Sequence, residues 1–333
     1  MDKSVQNRIK IILKKTLKVV LRIVGSILIL FLILVILLGY KNISSNIGFH
    51  FPTTNQHIKN SNSFRLLSWN VKGFQLQEKK YDTAGCIMRN MMSVIQKANA
   101  DVVCIQDFEQ TDGDIFFKYL DFFKDSLHYP NMYFSVDIDS TAVYGRCRYG
   151  TCIFSKFAIT NSSSIQYTGK YFSESLGYAD LKIEGKTLRV FNTHLRSMYL
   201  NIKHSKEFEF KYKIEDTMLV FHSSKWQKLK HFDTAHISQV KLIKSVMDTT
   251  KIPYVFCADL NSTPSSFVYH QISKNLNDAF VKNSFWWDKT YTTILPFIRI
   301  DVVLTSKELT PISYYSPKLN LSDHYPIVTD IMY

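Results

Sequence analysis

The chain carries a set of short polar clusters whose side chains suit hydrolysis of a phosphate ester. They are Trp69-Asn70, Gln106-Asp107, Asn192-Thr193-His194, Asp259-Leu260-Asn261, Arg299-Ile300-Asp301 and Ser322-Asp323-His324. Carboxylates and carboxamides offer the oxygen ligands that a hard divalent cation prefers. Histidine adds a proton carrier whose ordinary pKa lies near neutrality. A cation lowers the barrier by neutralising charge that builds on the nonbridging oxygens of phosphorus. A histidine fixed by a carboxylate keeps one tautomer, and Asn or His donors meet the developing negative charge. Metal-assisted phosphoester cleavage is the chemistry these residue types serve together.

Singly, each cluster is ordinary: Asn-Thr-His caps or turns many chains, and Asp-Leu-Asn before Ser-Thr-Pro marks a strand-to-turn transition. Position sets them apart. Each closes an apolar, strand-like run, such as Val102-Val103-Cys104-Ile105 or Val255-Phe256-Cys257-Ala258. Short apolar runs of this kind read as buried strands. Side chains at rigid strand tips converge on one pocket, as catalytic groups do.

The elements that must position them follow from periodicity. Strands are expected over 64–71, 101–105, 151–154, 188–191, 254–259, 299–304 and 327–330. Residues 83–99 read as a helix, with Ile87, Met91, Val94 and Ile95 on one apolar stripe; residues 235–248 read as another. Between Arg196 and Thr234 lies a segment rich in Lys, His and aromatics, including His204, His222, Lys225, Trp226, Lys228 and His231. It reads as a solvated helical excursion, with bordering the pocket and binding a phosphate as its alternative role. Strands alternating with few helices and several hairpin-like pairs predict an α/β sandwich rather than a doubly wound sheet.

With 333 residues, 46% hydrophobic and 21% charged, the chain can bury a substantial core. No internal repeat or Pro/Gly-rich linker interrupts residues 64–333, so one catalytic domain is expected there. Residues 23–40 carry no charge, IVGSILILFLILVILLGY, which is long enough to span a membrane. A small-x-small cleavage site is lacking after it, so residues 23–40 read as an uncleaved signal anchor rather than a signal peptide. Residues 1–22 hold seven basic side chains and one acid, leaving +7 of the net +13 for the remainder. That basic flank puts residues 1–22 in the cytoplasm and the domain across the membrane. Residues 41–63, Ser- and Asn-rich, read as a spacer.

The five cysteines lack zinc-type spacing; Cys104 and Cys257 read as core residues, and Cys147 and Cys152 as a pair that an oxidising compartment would join. A glycosylation sequon, Asn261-Ser262-Thr263, falls within a proposed site cluster, where a glycan would block the pocket. A bacterial inner membrane with the domain facing the periplasm fits these features.

In order and spacing, seven stretches resemble the endonuclease/exonuclease/phosphatase superfamily, the deoxyribonuclease-I-like fold, over about residues 64–333. They are the clusters above with their flanking strands, together with Tyr149-Gly150-Thr151-Cys152-Ile153-Phe154-Ser155-Lys156. The resemblance implies a four-layer α/β sandwich of two packed mixed β-sheets flanked by helices, and Mg²⁺ or Mn²⁺ as cofactor. It implies that Asn70 and Asp107 bind the metal and that Asp323 contacts metal or water. Asp259 and Asn261 match the pair that positions the attacking water and stabilises the transition state. Asp301 matches the carboxylate that orients His324, and His194 the histidine that contacts the scissile phosphate. Tyr149-Gly150 is carried over without a chemical role.

Two positions depart from the family pattern. Gln106-Asp107 replaces Gln-Glu, one methylene shorter, which makes Glu109 a second candidate ligand. Ala258 replaces a glycine before Asp259. The implied substrates are phosphate esters in nucleic acid, a phospholipid head group or an inositol phosphate, and no obligate protein partner is implied. A general metal-dependent phosphoesterase ranks first, then an extracytoplasmic nuclease, then a sphingomyelinase-like phosphodiesterase. His194 stands where abasic-site nucleases of the family carry Tyr followed by Pro, which tilts the reading away from DNA repair. A silent module that only holds a phosphorylated ligand is the reading from another class.

Overall fold

The computed structural model describes residues 3–50, 62–75, 81–112, 117–142, 145–167, 174–198, 223–292 and 298–333. The first element is α1 (Lys3–Asn46). Its run Leu13–Leu34 is long and apolar enough to cross a membrane, and none of it is buried. Ile27, Leu28, Ile29 and Leu30 are consecutive and each about 60–70% exposed, so the apolar surface covers every side of the helix. Soluble helices confine such residues to one stripe.

The rest of the chain forms β1 (Ile47–Phe49), β2 (Ser63–Asn70), α2 (Tyr81–Ala98), β3 (Val102–Thr111), α3 (Tyr119–Asp125), β4 (Asn131–Ala142), β5 (Gly145–Ser155), β6 (Ala158–Gln166) and β7 (Ser175–Ile183). There follow β8 (Lys186–His194), α4 (Lys225–Thr249), β9 (Tyr254–Asp259), α5 (Phe267–Ile272), β10 (Asn277–Asp278), α6 (Ala279–Asn283), β11 (Phe285–Trp287), β12 (Asp301–Thr305), β13 (Thr310–Pro311) and β14 (Ile327–Met332). Within 41–63, then, α1 continues to Asn46 and β1 pairs with β11, while residues 51–61 lie outside the described residues.

Two six-stranded mixed sheets carry the site, ordered β13-β14-β2-β3-β5-β4 and β10-β12-β9-β8-β7-β6. Both follow one pattern, a single parallel pair (β2 with β3, β8 with β9) flanked by antiparallel neighbours. The expected four-layer sandwich is present. Phe64, Leu66, Val102 and Cys104 of one sheet pack against Val190, Val255, Cys257 and Val303 of the other. The outward residues Leu67, Trp69, Val103 and Ile105 meet Met91 and Ile95 of α2. On the far side, Phe191, Phe256 and Val302 meet Val240, Ile243 and Met247 of α4.

Helix α4 starts at Lys225, ten residues before the expected Ala235, because Ser224 and Gln227 form a capping box. Lys225, Trp226, Lys228 and His231 therefore lie on a regular helix, whereas His204 and His222 fall outside the described residues. Cys147 and Cys152 are both thiols. They lie five residues apart on β5, about 16 Å of extended chain, far beyond disulfide reach.

Alternation along the strands explains where the site forms. Inward positions of β2 run Phe64, Leu66, Ser68, Asn70; those of β8 run Leu188, Val190, Asn192, His194. On β9 Val255 and Cys257 lead to Asp259, and on β12 Asp301 precedes Val303. Each inward row is apolar in the sandwich and polar at one end, so a period of two delivers these side chains to a common mouth. Beneath that mouth Gln106 and Asn192, both fully buried, join the sheets. Gln106 Nε2 donates to Asn192 Oδ1 at 2.7 Å and to Ser68 Oγ at 3.0 Å. Asn192 Nδ2 donates to the Ile105 and Cys152 carbonyls, each at 3.0 Å. Replacing Asn192 with Leu strands these buried groups and is expected to cost about 1–3 kcal/mol, measured by urea unfolding. A loss below about 0.5 kcal/mol, the range of an ordinary surface change, would remove the bridge from the account of stability.

Candidate active site

Asp107 breaks the alternation. Gln106 takes the inward position, so a regular strand would aim Asp107 at the helices. A bulge between Ile105 and Phe108 and a left-handed backbone at Asp107 (φ 52) turn its carboxylate back into the mouth. On the neighbouring strand Gly150 lets β4 close on β5, since a Cβ there would lie 2.0 Å from the Ser135 carbonyl oxygen. Asp107 Oδ1 lies 2.6 Å from His194 Nδ1. Burial opposes its charge, but His194 and a hydrogen bond from Tyr149 prevail and hold its pKa at about 2. Tyr149 thus gains a role that the sequence left blank. Glu109 points elsewhere: its carboxylate sits beside Gly73 and accepts from Cys147 Sγ at 3.7 Å.

Asp259 is the hub. Its Oδ2 accepts from Asn70 Nδ2 at 3.0 Å and lies 3.5 Å from His194 Nε2 and 3.6 Å from His324 Nε2. Its Oδ1 accepts from the Asn261 amide at 2.9 Å, holding Asn261 left-handed at φ 47, a conformation Asn tolerates. Asn261 Nδ2 donates to the Leu195 carbonyl at 2.8 Å and faces His194 Nε2 at 2.9 Å.

His324 is clamped from several sides. Its Nδ1 lies 2.9 Å from Asp301 Oδ2, leaving Nε2 toward Asp259. Trp69 Nε1 donates to the His324 carbonyl at 2.9 Å, and the Tyr291 ring lies 4.8 Å from the imidazole. Burial alone would lower both histidines. The carboxylates override it, Asp301 foremost at His324 and Asp107 at His194, and each is pushed up to about 10. Thr290 Oγ1 accepts from the Ile300 and Asp301 amides at 3.0 and 3.1 Å and so fixes the start of β12. Asp323 stands at the rim, its Oδ1 4.0 Å from His324 Nε2 and its Oδ2 3.3 Å from Lys72 Nζ.

All eight site residues expected from the sequence therefore adjoin one mouth. Among the described residues, one group has metal-ligand spacing, Asp259, Asp301 and His324, with ligand atoms within 4.8 Å of one another. Asp107 is instead turned onto His194. Sequence reasoning missed Thr290, Tyr291 and Lys72, which lie in none of the family-like stretches, and it gave Tyr149 no chemical role. It also missed the carboxyls of Asp137 and Glu174, raised by burial and close enough to His194 to feel its charge.

The family model for Endonuclease/Exonuclease/phosphatase matches residues 67–324, most of the chain. The chain belongs to this family. Members of the endonuclease/exonuclease/phosphatase family hydrolyse phosphodiester and phosphate-ester bonds. An endonuclease/exonuclease/phosphatase from Beutenbergia cavernae DSM 12333 superposes with a TM-score of 0.56 at 15% identity, covering 81% of this chain and 72% of that one. The human Nocturnin catalytic domain with bound sulfate anion gives 0.54 at 19% identity, covering 82% and 95%. D. rerio TDP2 complexed with single strand DNA product gives 0.52 at 14% identity, covering 82% and 100%. These likenesses establish the shared fold. No curated protein matches the chain by sequence.

Proposed function

We propose that the protein is a membrane-anchored, divalent-metal-dependent phosphoesterase that cleaves phosphate esters by attack of water. The observation carrying this reading is Asp259 Oδ2 set between two imidazoles, 3.5 Å from His194 Nε2 and 3.6 Å from His324 Nε2, with Asn70 as donor. Binding a phosphorylated ligand needs no histidine oriented by a buried carboxylate; moving a proton does.

The donor set fits a hard dication. Asp107, Asp259, Asp301 and Asp323 converge with Asn70, and their charge raises both histidines to about 10. Yet Asn261 Nδ2, fixed by the Leu195 carbonyl, presents a donor to His194 Nε2, which only an unprotonated nitrogen accepts. A cation among the carboxylates reconciles the two, because it supplies the positive charge that the imidazole would otherwise carry. Asp107, Asp323 and the Asn70 Oδ1, which also accepts from the Lys72 amide at 3.0 Å, would hold Mg²⁺ or Mn²⁺, and the ion when bound would neutralise charge on the phosphoryl oxygens.

The remaining work falls to the chain. Asp259 and Asn261 position the attacking water, and Asp259 faces the proton it loses. Asp301 keeps the Nδ1–H tautomer of His324, whose Nε2 moves a proton at the reacting centre. His194 and Asn261 meet the phosphate oxygens as charge builds there.

The substrate is a phosphate ester of nucleic acid, a phospholipid head group or an inositol phosphate. The DNA product held by D. rerio TDP2 puts single-stranded DNA among the first substrates to test. The all-round apolar exposure of α1 supports the anchor, and the basic first 22 residues support a cytoplasmic N-terminus.

The deciding assay follows bis-p-nitrophenyl phosphate with Mg²⁺ or Mn²⁺, where turnover that EDTA abolishes is expected. A well-folded chain inactive with every divalent metal is instead a silent binding module. In the same assay Asp107→Asn is expected to raise the metal concentration at half activity about tenfold or more, as ligand losses do. An unchanged metal curve would take Asp107 out of the ligand set and leave it as the partner of His194.

A further inference from the structure

We propose that β1 and β11 form a membrane-docking edge that rests on the phospholipid surface the N-terminal helix enters. The proposal rests on reading α1 as a membrane anchor. The uncharged run of α1 ends at Tyr40, the helix continues to Asn46 and β1 starts at Ile47, so six helical residues, about 9 Å, lie between that run and the strand. It pairs antiparallel with β11, Ile47 opposite Trp287, Gly48 opposite Trp286 and Phe49 opposite Phe285. A Cβ on Gly48 would lie 2.1 Å from the Ser284 carbonyl oxygen, so glycine is what lets the strands close.

Strand β11 is Phe285-Trp286-Trp287, and these residues are 45%, 62% and 45% exposed. Successive strand residues normally point to opposite faces. Here Trp286 takes a left-handed backbone (φ 73), rare for a bulky side chain, and all three rings remain exposed. Neighbouring ring centroids lie 6.3 and 6.4 Å apart, a continuous aromatic row. Asn46 Nδ2 donates to Ser265 Oγ at 2.9 Å, and two residues on, Phe267 is 56% exposed. Lys282, on α6 just before this strand, is exposed too and suits anionic headgroups. Trp exposed on a strand paired with the residues that follow a membrane helix in the chain suits the interfacial layer, where an amphipathic ring has its apolar body in lipid and its N–H in water. Because the helix tethers the strand directly, weak interfacial affinity is enough: docking is intramolecular.

The edge also bears on the pocket. Trp287 and Tyr291 are four residues apart, at most about 14 Å of chain, and Tyr291 packs on His324. Docking therefore holds the mouth near the headgroup layer.

The test uses the full chain reconstituted in phosphatidylcholine–phosphatidylglycerol vesicles whose acyl chains are brominated close to the headgroup. Tryptophan emission is expected to be quenched relative to unbrominated vesicles, and Trp286→Ser/Trp287→Ser is expected to lose most of that quenching. Trp226→Phe is expected to keep it, and unchanged turnover of soluble bis-p-nitrophenyl phosphate reports that the variants fold. In the wild-type chain, vesicles are expected to shield these tryptophans from aqueous acrylamide. Equal bromolipid quenching in the double variant, or full acrylamide access, overturns the docking edge. So does shielding that comes from a second copy, seen as crosslinking through Trp286→Cys. Carbonate extraction separates the two failures: a chain that stays in the membrane but shows no quenching keeps its anchor and loses the docking edge. A chain released by carbonate loses the anchor and the docking edge with it.

Discussion

His324→Ala is expected to lower turnover of a phosphodiester by about 10²–10⁴-fold, the contribution of a positioned general acid or base. Asp301 holds His324 Nδ1 at 2.9 Å, the Trp69 indole holds its carbonyl at 2.9 Å, and Tyr291 covers its ring. Nothing in that arrangement serves packing alone, since an apolar side chain would fill the space without a buried carboxylate beneath it. The substitution leaves Asp301 without its cation. Burial already raises the Asp301 carboxyl, so it takes up a proton rather than remain a buried charge, and the fold is expected to survive. Asp301→Asn offers a check that preserves shape. It leaves the imidazole in place without fixing its tautomer, so turnover should again fall steeply. Circular dichroism and the thermal midpoint establish that both variants are folded. Near-wild-type turnover by folded His324→Ala would refute the proton-transfer role.

How much of this site was legible in the sequence depended on which faces of each strand are buried. Central strands, covered on both sides, spell continuous apolar runs, and Val102–Ile105 and Val255–Ala258 announced β3 and β9. Strand β6, at a sheet edge, reads Ala-Ile-Thr-Asn-Ser-Ser-Ser-Ile-Gln with mixed exposure, and no hydrophobic pattern betrays it. The polar ends of the inward rows were legible because Asn70, His194, Asp259 and Asp301 stand where an apolar run stops. The bulge that redirects Asp107 was not, because a bulge is set by the pairing of β3 with β5, which one strand does not encode locally. Gln106 and Asn192 stood out as motif residues, but their work as an inter-sheet bridge needed both sheets in place. Thr290 and Tyr291 belong to no apolar run at all. They reach the site through the pairing of Tyr291 with His324.

Asp259→Asn is expected to lower turnover by about 10³-fold, the upper range for losing one preorganised polar group. It is a stricter test than truncation, because shape and volume hardly change. Asp259 accepts from Asn70 through Oδ2 and from the Asn261 amide through Oδ1. An asparagine has one acceptor oxygen, so its NH₂ must face one of those donors. The charge matters as much as the hydrogen bonds. Asp259 helps to raise His194 and His324 to about 10, after Asp107 and Asp301 respectively. Without its charge, both imidazoles should titrate lower in metal-free protein, as NMR of the ring protons would record. The sign for stability follows. Two histidines raised above their unfolded value of about 6.5 stabilise the fold fully below that pH, and the contribution fades as pH rises toward about 10. In Asp259→Asn that loss should begin and end at lower pH in EDTA. Histidine titrations unmoved by the substitution would place Asp259 outside the field of both rings, and the hub arrangement with it.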